Sequence, residues 1–357
     1  MKCKIFLTEM GWGPIVRESA ICHEILKLKK ISFTVQSSKN LDVIKNFFPE
    51  KTKIINKDNL TKYFSTSKGS VDYIKTKKYY NNYNKLSIKW FEDNLKDKDY
   101  DFFISDVCPE AFELASKLKI PCFGIGHFTW DWFFLQTTPN VVSSDILNLW
   151  KKFQLKASNF FFPPFTPSPI LENYKNHLKT NFIISHKIKF KKIFFKNKKI
   201  KILFLDSGDR INTPLLKKII NKNKSVKDFL IIHADNIGRF KETFSIKRKK
   251  FLGDYIPHAD IIVGRAGFNT ITELLYFGKP GIFLTSKNNP EINWNLSQMV
   301  SLDLAQSIDV DYLAENFELI IKDFIKFQVY EKKKYIKIQK FQFNGAQQIA
   351  KNILKQL

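Results

Sequence analysis

Residues 260–284 read Asp-Ile-Ile-Val-Gly-Arg-Ala-Gly-Phe-Asn-Thr-Ile-Thr-Glu-Leu-Leu-Tyr-Phe-Gly-Lys-Pro-Gly-Ile-Phe-Leu. Asp260 to Val263 is a strand-length run of β-branched residues, and Gly264 and Gly267 place a turn directly behind it. A helix is expected from about Thr270 to Phe277, closed by Gly278 and barred from continuing by Pro280. Gly281 to Leu284 then reads as a second buried strand. Strand, glycine turn, helix and strand in that order are the grammar of an α/β sheet. The turn offers bare backbone N–H groups at the positive end of a helix dipole, an arrangement that favours a phosphate. The glycines alone carry little weight, because neither G-x-G-x-x-G nor a Walker lysine is present.

The same alternation opens the chain. Lys4 to Leu7 reads as a strand, Thr8 to Pro14 as a turn-rich loop and Ile15 to Lys29 as a helix. Further strands are expected at Ser32–Gln36, near Lys53–Ile55, at Tyr100–Ser105 ending in Asp106, and at Pro121–Ile125 ahead of His127. Val71 to Leu95 and Val141 to Ser158 carry helical periodicity, and the proline-rich run from Phe160 to Pro169 reads as a break in regular structure. Ile202–Leu205 and Phe229–His233 are strands of a second domain. The expected division is 1–165 for the first domain, 166–200 for a linker, 201–337 for the second domain and 338–357 for a helix returning to the first.

A length of 357 residues accommodates two domains, and no apolar run approaches the roughly 18 residues of a membrane span. Cys3, Cys22, Cys108 and Cys122 form neither a Cys-x-x-Cys pair nor a zinc spacing, which suits reduced thiols in a cytoplasm. The formal net charge is +25. It reads in two ways: as attraction to an anionic surface such as the inner leaflet, or as a composition bias that over-uses Lys, Asn, Ile and Phe together. No nucleic-acid-binding motif accompanies the charge, so nucleic acid is not an expected partner.

The string from Leu252 to Met299 resembles the donor site of GT-B glycosyltransferases, especially the peptidoglycan N-acetylglucosaminyltransferase group of family 28. There, an Ala-Asp strand precedes Arg-x-Gly-x-x-Thr-x-x-Glu and a Gly-x-Pro turn, as Ala259-Asp260, Arg265 to Glu273 and Gly278 to Pro280 do here. The resemblance implies an α/β, GT-B type fold, with two Rossmann-like domains facing each other across a cleft. It puts Gly267, Asn269 and Thr270 at the donor diphosphate, with Ser207 and Gly208 approaching it from another loop, and it counts Arg265 among the donor-binding residues, although that arginine also reads as a solvated turn residue or an interdomain ion-pair partner. Glu273 would accept from the ribose hydroxyls, and Ile256 would lie near the uracil. Glu291 and Asn295 fall where the group places contacts to the donor sugar, although Glu291-Ile292 stands in place of a Gln pair. On the acceptor side, Gly11, Gly13 and Arg17 keep the loop pattern, while Pro14 replaces its histidine. The segment 101–134 is similar, more weakly, to the glycosyltransferase-like half of plant-type L-arabinokinases, with Thr129-Trp130-Asp131 matching a Ser-Trp-Asp motif. Trp130 and Asp131 are then acceptor candidates.

The expected function is inverting, metal-independent transfer of a sugar from a nucleotide-sugar, by expectation a UDP-sugar, to an acceptor hydroxyl. That acceptor would be a glycan or lipid-linked species of a bacterial envelope, met in the cytoplasm or at the inner face of the membrane. Asp106 is the first candidate for the base, followed by Glu9 and His127. No cofactor is expected beyond the nucleotide-sugar as co-substrate, and Asp309-Val310-Asp311 is read as a helix start rather than a metal site. Two other readings stand beside this one: hydrolysis of the nucleotide-sugar, and nucleotide-sugar binding without catalysis. Single residues also have plainer readings. Thr270 and Glu273 fit a capping box, Asp106 a helix cap, and Trp130 and Trp132 ordinary core packing.

Overall fold

The computed structural model describes residues 1–66, 70–96, 98–188, 199–205, 212–222, 228–234, 243–246, 252–286, 288–331 and 340–357. They form two compact units, one of residues 1–66, 71–186 and 343–357, the other of residues 67–70 and 187–342. Among the described residues, no helix is long and apolar enough to cross a membrane.

The first unit is built on a parallel sheet of seven strands: β1 Lys2–Phe6, β2 Ser32–Gln36, β3 Lys53–Ile55, β4 Phe102–Ser105, β5 Cys122–Ile125, β6 Asn159–Phe162 and β7 His177–Lys179. Their order is β3-β2-β1-β4-β5-β6-β7. β4, β5 and most of β6 are buried throughout, which is why they read as unbroken apolar runs rather than alternating ones.

The second unit holds β8 Ile200–Leu205, β9 Phe229–His233, β10 Thr243–Ser245, β11 Ile261–Gly264, β12 Gly281–Leu284 and β13 Ala305–Ile308. These are again all parallel, in the order β10-β9-β8-β11-β12-β13. Its core joins Ile202, Phe204, Ile231, Ile261, Val263 and Ile282 of the sheet to Leu216, Leu313, Phe317 and Ile321 of the helices. In each sheet the strand order reverses once, between β1 and β4 and between β8 and β11. The carboxyl ends of such a strand pair are where open parallel sheets bind ligands.

Several expectations shift in detail. Phe160 to Phe162 do not break the structure but form most of β6, where all three rings are buried, and the prolines begin only after the strand ends. The segment expected as linker contributes the helix Ser168–Asn173 and β7 to the first unit. Val71–Leu95 is two helices, Tyr73–Tyr80 and Tyr83–Leu95, parted at Asn81-Asn82. The last helix, Gly345–Gln356, belongs to the first unit and packs on the helix Gly13–Leu28. It is anchored by a hydrogen bond of 2.8 Å from the Asn181 amide to Gln348 Oε1. Most of the lysine-rich run 187–201 lies outside the described residues.

Candidate functional site

In the second unit the strand reversal falls at Gly264, which pairs with Leu205 on one side and Phe283 on the other. A Cβ there would stand 2.8 Å from the Leu205 carbonyl oxygen, so the close approach of β8 and β11 requires glycine. The chain then turns through Arg265, Ala266 and Gly267, with the Gly267 amide donating to the Arg265 carbonyl at 2.9 Å. The helix Phe268–Phe277 follows at once, two residues earlier than its polar sequence start suggested, because Phe268 is itself buried. Gly278 ends it at φ 63°, a left-handed conformation natural to glycine.

Gly267, the residue ahead of this helix, has no side chain with which to cap it. Thr270 lies in its first turn rather than ahead of it, so the capping-box reading of Thr270 and Glu273 does not hold. The helix itself supplies no acceptor for its first amides, which include those of Phe268, Asn269 and Thr270. Among the described residues, a Cβ on Gly267 would meet only Thr270 Oγ1, at 3.8 Å. Gly267, Asn269 and Thr270 are all partly exposed.

Glu273 lies further along the same helix. It is 8% exposed and has no hydrogen-bond partner among the described residues. Burial, and then the neighbouring charge of Asp254 in the 3-10 helix Leu252–His258, push its carboxyl up to about 8. A buried carboxyl in this state is short of donors, and a pair of ligand hydroxyls would supply them. Asp254 was not singled out in the sequence; its spacing from Glu273 carries no local signal.

Other donor-side candidates take different places. Arg265 is buried and donates to Ser286 Oγ at 3.4 Å, so the turn is tied to the segment after β12. Asn295, expected at the donor sugar, is instead wholly buried on the helix Pro290–Ser301 and donates to the Ala266 carbonyl at 3.0 Å. Ile256, expected beside the base, has a wholly buried side chain, so only its backbone is left for such a role. Glu291 is half-buried in the first turn of the helix Pro290–Ser301. Ser207 and Gly208 lie outside the described residues. Asp309 caps the helix Val310–Glu315 by accepting from the amides of Asp311 and Tyr312, and Asp311 pairs with Lys218.

In the first unit the reversal between β1 and β4 carries a closed polar cluster. Asp106, at the end of β4, is 1% exposed and accepts from Arg17 Nη2 at 2.5 Å and Thr8 Oγ1 at 2.7 Å. Glu18, wholly buried beside them, was not foreseen; burial first, and Asp106 second, push its carboxyl well above the ordinary range. Arg17 is therefore a buried ion-pair partner rather than an acceptor contact, and Asp106 is committed to holding it rather than exposed as a base. Glu9 is also buried, accepting from the amide and hydroxyl of Ser38 at 2.7 Å each.

Trp130 and Asp131 correct in the same sense. The Trp130 ring is fully enclosed among Tyr63, Phe128, Phe133 and Phe134, and no acceptor can lie on it. Asp131 accepts from Gln154 at 3.0 Å and Tyr174 at 3.1 Å inside the core. His127, at the end of β5, is 3% exposed against Phe128. Gly11 is exposed at φ 67°, and Gly13 opens the helix with free space where a Cβ would stand.

Known proteins share this architecture. Residues 237–353 match the glycosyltransferase family 28 C-terminal domain. The spinosyn rhamnosyltransferase SpnG superposes with a TM-score of 0.67 at 10% identity, covering 97% of this chain and 98% of its own. The glycosyltransferase SnogD from Streptomyces nogalater gives 0.65 at 11% identity, covering 100% of both chains. The glycotransferase of kitacinnamycin gives 0.65 at 13% identity over 100% of this chain and 98% of its own. SpnG has been solved with thymidine diphosphate and with the spinosyn aglycone. No curated protein sequence matches the chain. The fold is the GT-B type, and fold and domain are those of sugar-transferring enzymes.

Proposed function

We propose that this chain transfers a sugar from a uridine diphosphate carrier to an acceptor hydroxyl, with inversion and without a metal ion. One observation carries the reading: a buried Glu273, without a hydrogen-bond partner among the described residues, lies on the helix that starts at the strand reversal of the second sheet. A nucleoside diphosphate answers both needs. Its phosphates meet the amides at the helix start, and its ribose hydroxyls meet Glu273.

The chemistry follows from that placement. As the bond to the anomeric carbon breaks, negative charge grows on the departing β-phosphate. Fixed amide dipoles at the start of the helix Phe268–Phe277 stabilise that charge without reorganising, the part a divalent cation plays elsewhere. Glu273 holds the carrier in place through the reaction. Attack from the face opposite the leaving diphosphate inverts the anomeric centre. The acceptor fitting the net charge of +25 is a glycan or lipid-linked sugar at an anionic membrane face.

A panel of nucleotide-sugars, each incubated with the protein and mixed glycan or lipid-linked acceptors and read by mass spectrometry, tests the proposal. Release of UDP with a product of inverted anomeric configuration supports it. Sugar release in the absence of any acceptor would instead show hydrolysis, and turnover of thymidine but not uridine carriers would refute the assigned nucleotide.

A further inference from the structure

Asn295 does not fit the role its position in the sequence implied, and its surroundings suggest another. It sits on the helix Pro290–Ser301 with no exposure to solvent, and its Nδ2 donates to the Ala266 carbonyl at 3.0 Å. Its Oδ1 has no hydrogen-bond partner among the described residues. A leucine of similar volume would fill the same space without burying a lone amide oxygen. What leucine lacks is the donor, so the donor is the part of Asn295 that the site uses.

The recipient of that hydrogen bond is a critical peptide plane. Ala266–Gly267 links the end of the strand turn to the start of the helix Phe268–Phe277, and glycine on one side lowers the resistance to rotation. In the observed orientation the Gly267 amide points back to Arg265 and the Ala266 carbonyl points in toward Asn295. Were the plane to rotate, the carbonyl oxygen would turn toward the helix start and set negative charge where an anion is to bind. Asn295 is itself held in register, because Asn289 caps its helix by accepting from the Ile292 amide at 3.2 Å.

We infer that Asn295 is a positioning residue for the diphosphate: it fixes the Ala266 carbonyl inward, and so keeps the helix start an anion site. The inference rests on the donor-site reading above. It confines the effect of Asn295 to the phosphates, because the nucleoside is held elsewhere, by Glu273.

Calorimetric titration of the whole chain with UDP and, separately, with uridine tests this on wild type, Asn295→Leu and Asn295→Asp. Both variants are expected to weaken UDP binding by about ten-fold or more while uridine binding changes by less than about two-fold. Asn295→Asp is nearly isosteric and keeps the test available if the leucine variant fails to fold, while the leucine variant separates loss of the donor from added charge. Equal weakening of UDP and uridine would show a merely structural role and overturn the inference, as would unchanged UDP binding. Absence of UDP binding by the wild-type protein would refute the donor-site reading itself, and is seen before any variant is made.

Discussion

Arg17 Nη2 lies 2.5 Å from Asp106 Oδ2, with the two side chains 4% and 1% exposed. The pair fastens the helix Gly13–Leu28 to the end of β4, and Thr8, in the loop after β1, closes it by donating to the same carboxylate. Its position at the strand reversal looks functional, but its burial makes it a fastening.

Removing one partner should therefore unfold the protein more readily rather than weaken acceptor binding. Arg17→Leu leaves Asp106 buried and uncompensated and is expected to cost about 3–5 kcal/mol in urea denaturation. Adding Asp106→Leu should restore part of that loss, since the uncompensated Asp106 carboxylate is then gone. A stability change within about 0.5 kcal/mol for Arg17→Leu, the ordinary range of surface substitutions, would contradict this account.

Glu273 gives a pH dependence of defined sign. Its carboxyl, raised from 4.5 to about 8 by burial and by Asp254, is mostly protonated at neutral pH in the unliganded protein. The folded state then binds more protons than the unfolded chain between those two values, so this group's contribution to stability falls as pH rises through that window. Hydroxyl donors from a ribose favour the carboxylate. UDP binding should thus tighten as pH rises toward about 8, and at pH 7 should release close to one proton. Calorimetry in buffers of different ionisation enthalpy measures the proton count, and Glu273→Gln should bring it near zero. Proton uptake on binding would contradict the assignment.

Gly264→Ala probes the close contact of β8 with β11. The new methyl would stand 2.8 Å from the Leu205 carbonyl oxygen, a rigid backbone atom, so the strands must part. A loss of about 1–3 kcal/mol is expected, with faster hydrogen exchange in β11 and β12 than in β4 and β5. Uniform exchange changes in both sheets would argue against a local strain.

What could be read from the chain was largely what neighbouring residues decide. Gly278 and Pro280 stop a helix by local geometry, and the β-branched run before Gly264 is a strand by its composition. Alternating strands and helices then make parallel sheets. What could not be read depends on partners distant in sequence. Arg17 meets Asp106 across 89 residues, and Asn295 reaches Ala266 across 29. Nothing local shows that these polar side chains turn inward. Trp130 and Asp131 misled for the same reason: a motif-like triplet at a strand end proved to be core once Tyr174 and Gln154 supplied its partners. Glu273 was marked as a site candidate by resemblance, whereas its shortage of donors appears only in the folded unit.

The most direct test of the donor site is calorimetric titration of the wild-type chain and of Glu273→Ala with UDP. The account predicts micromolar binding by the wild type and weakening by about ten-fold or more in the variant, equivalent to at least about 1.4 kcal/mol. Equal affinities, or no binding of UDP by a folded wild-type protein, would contradict it.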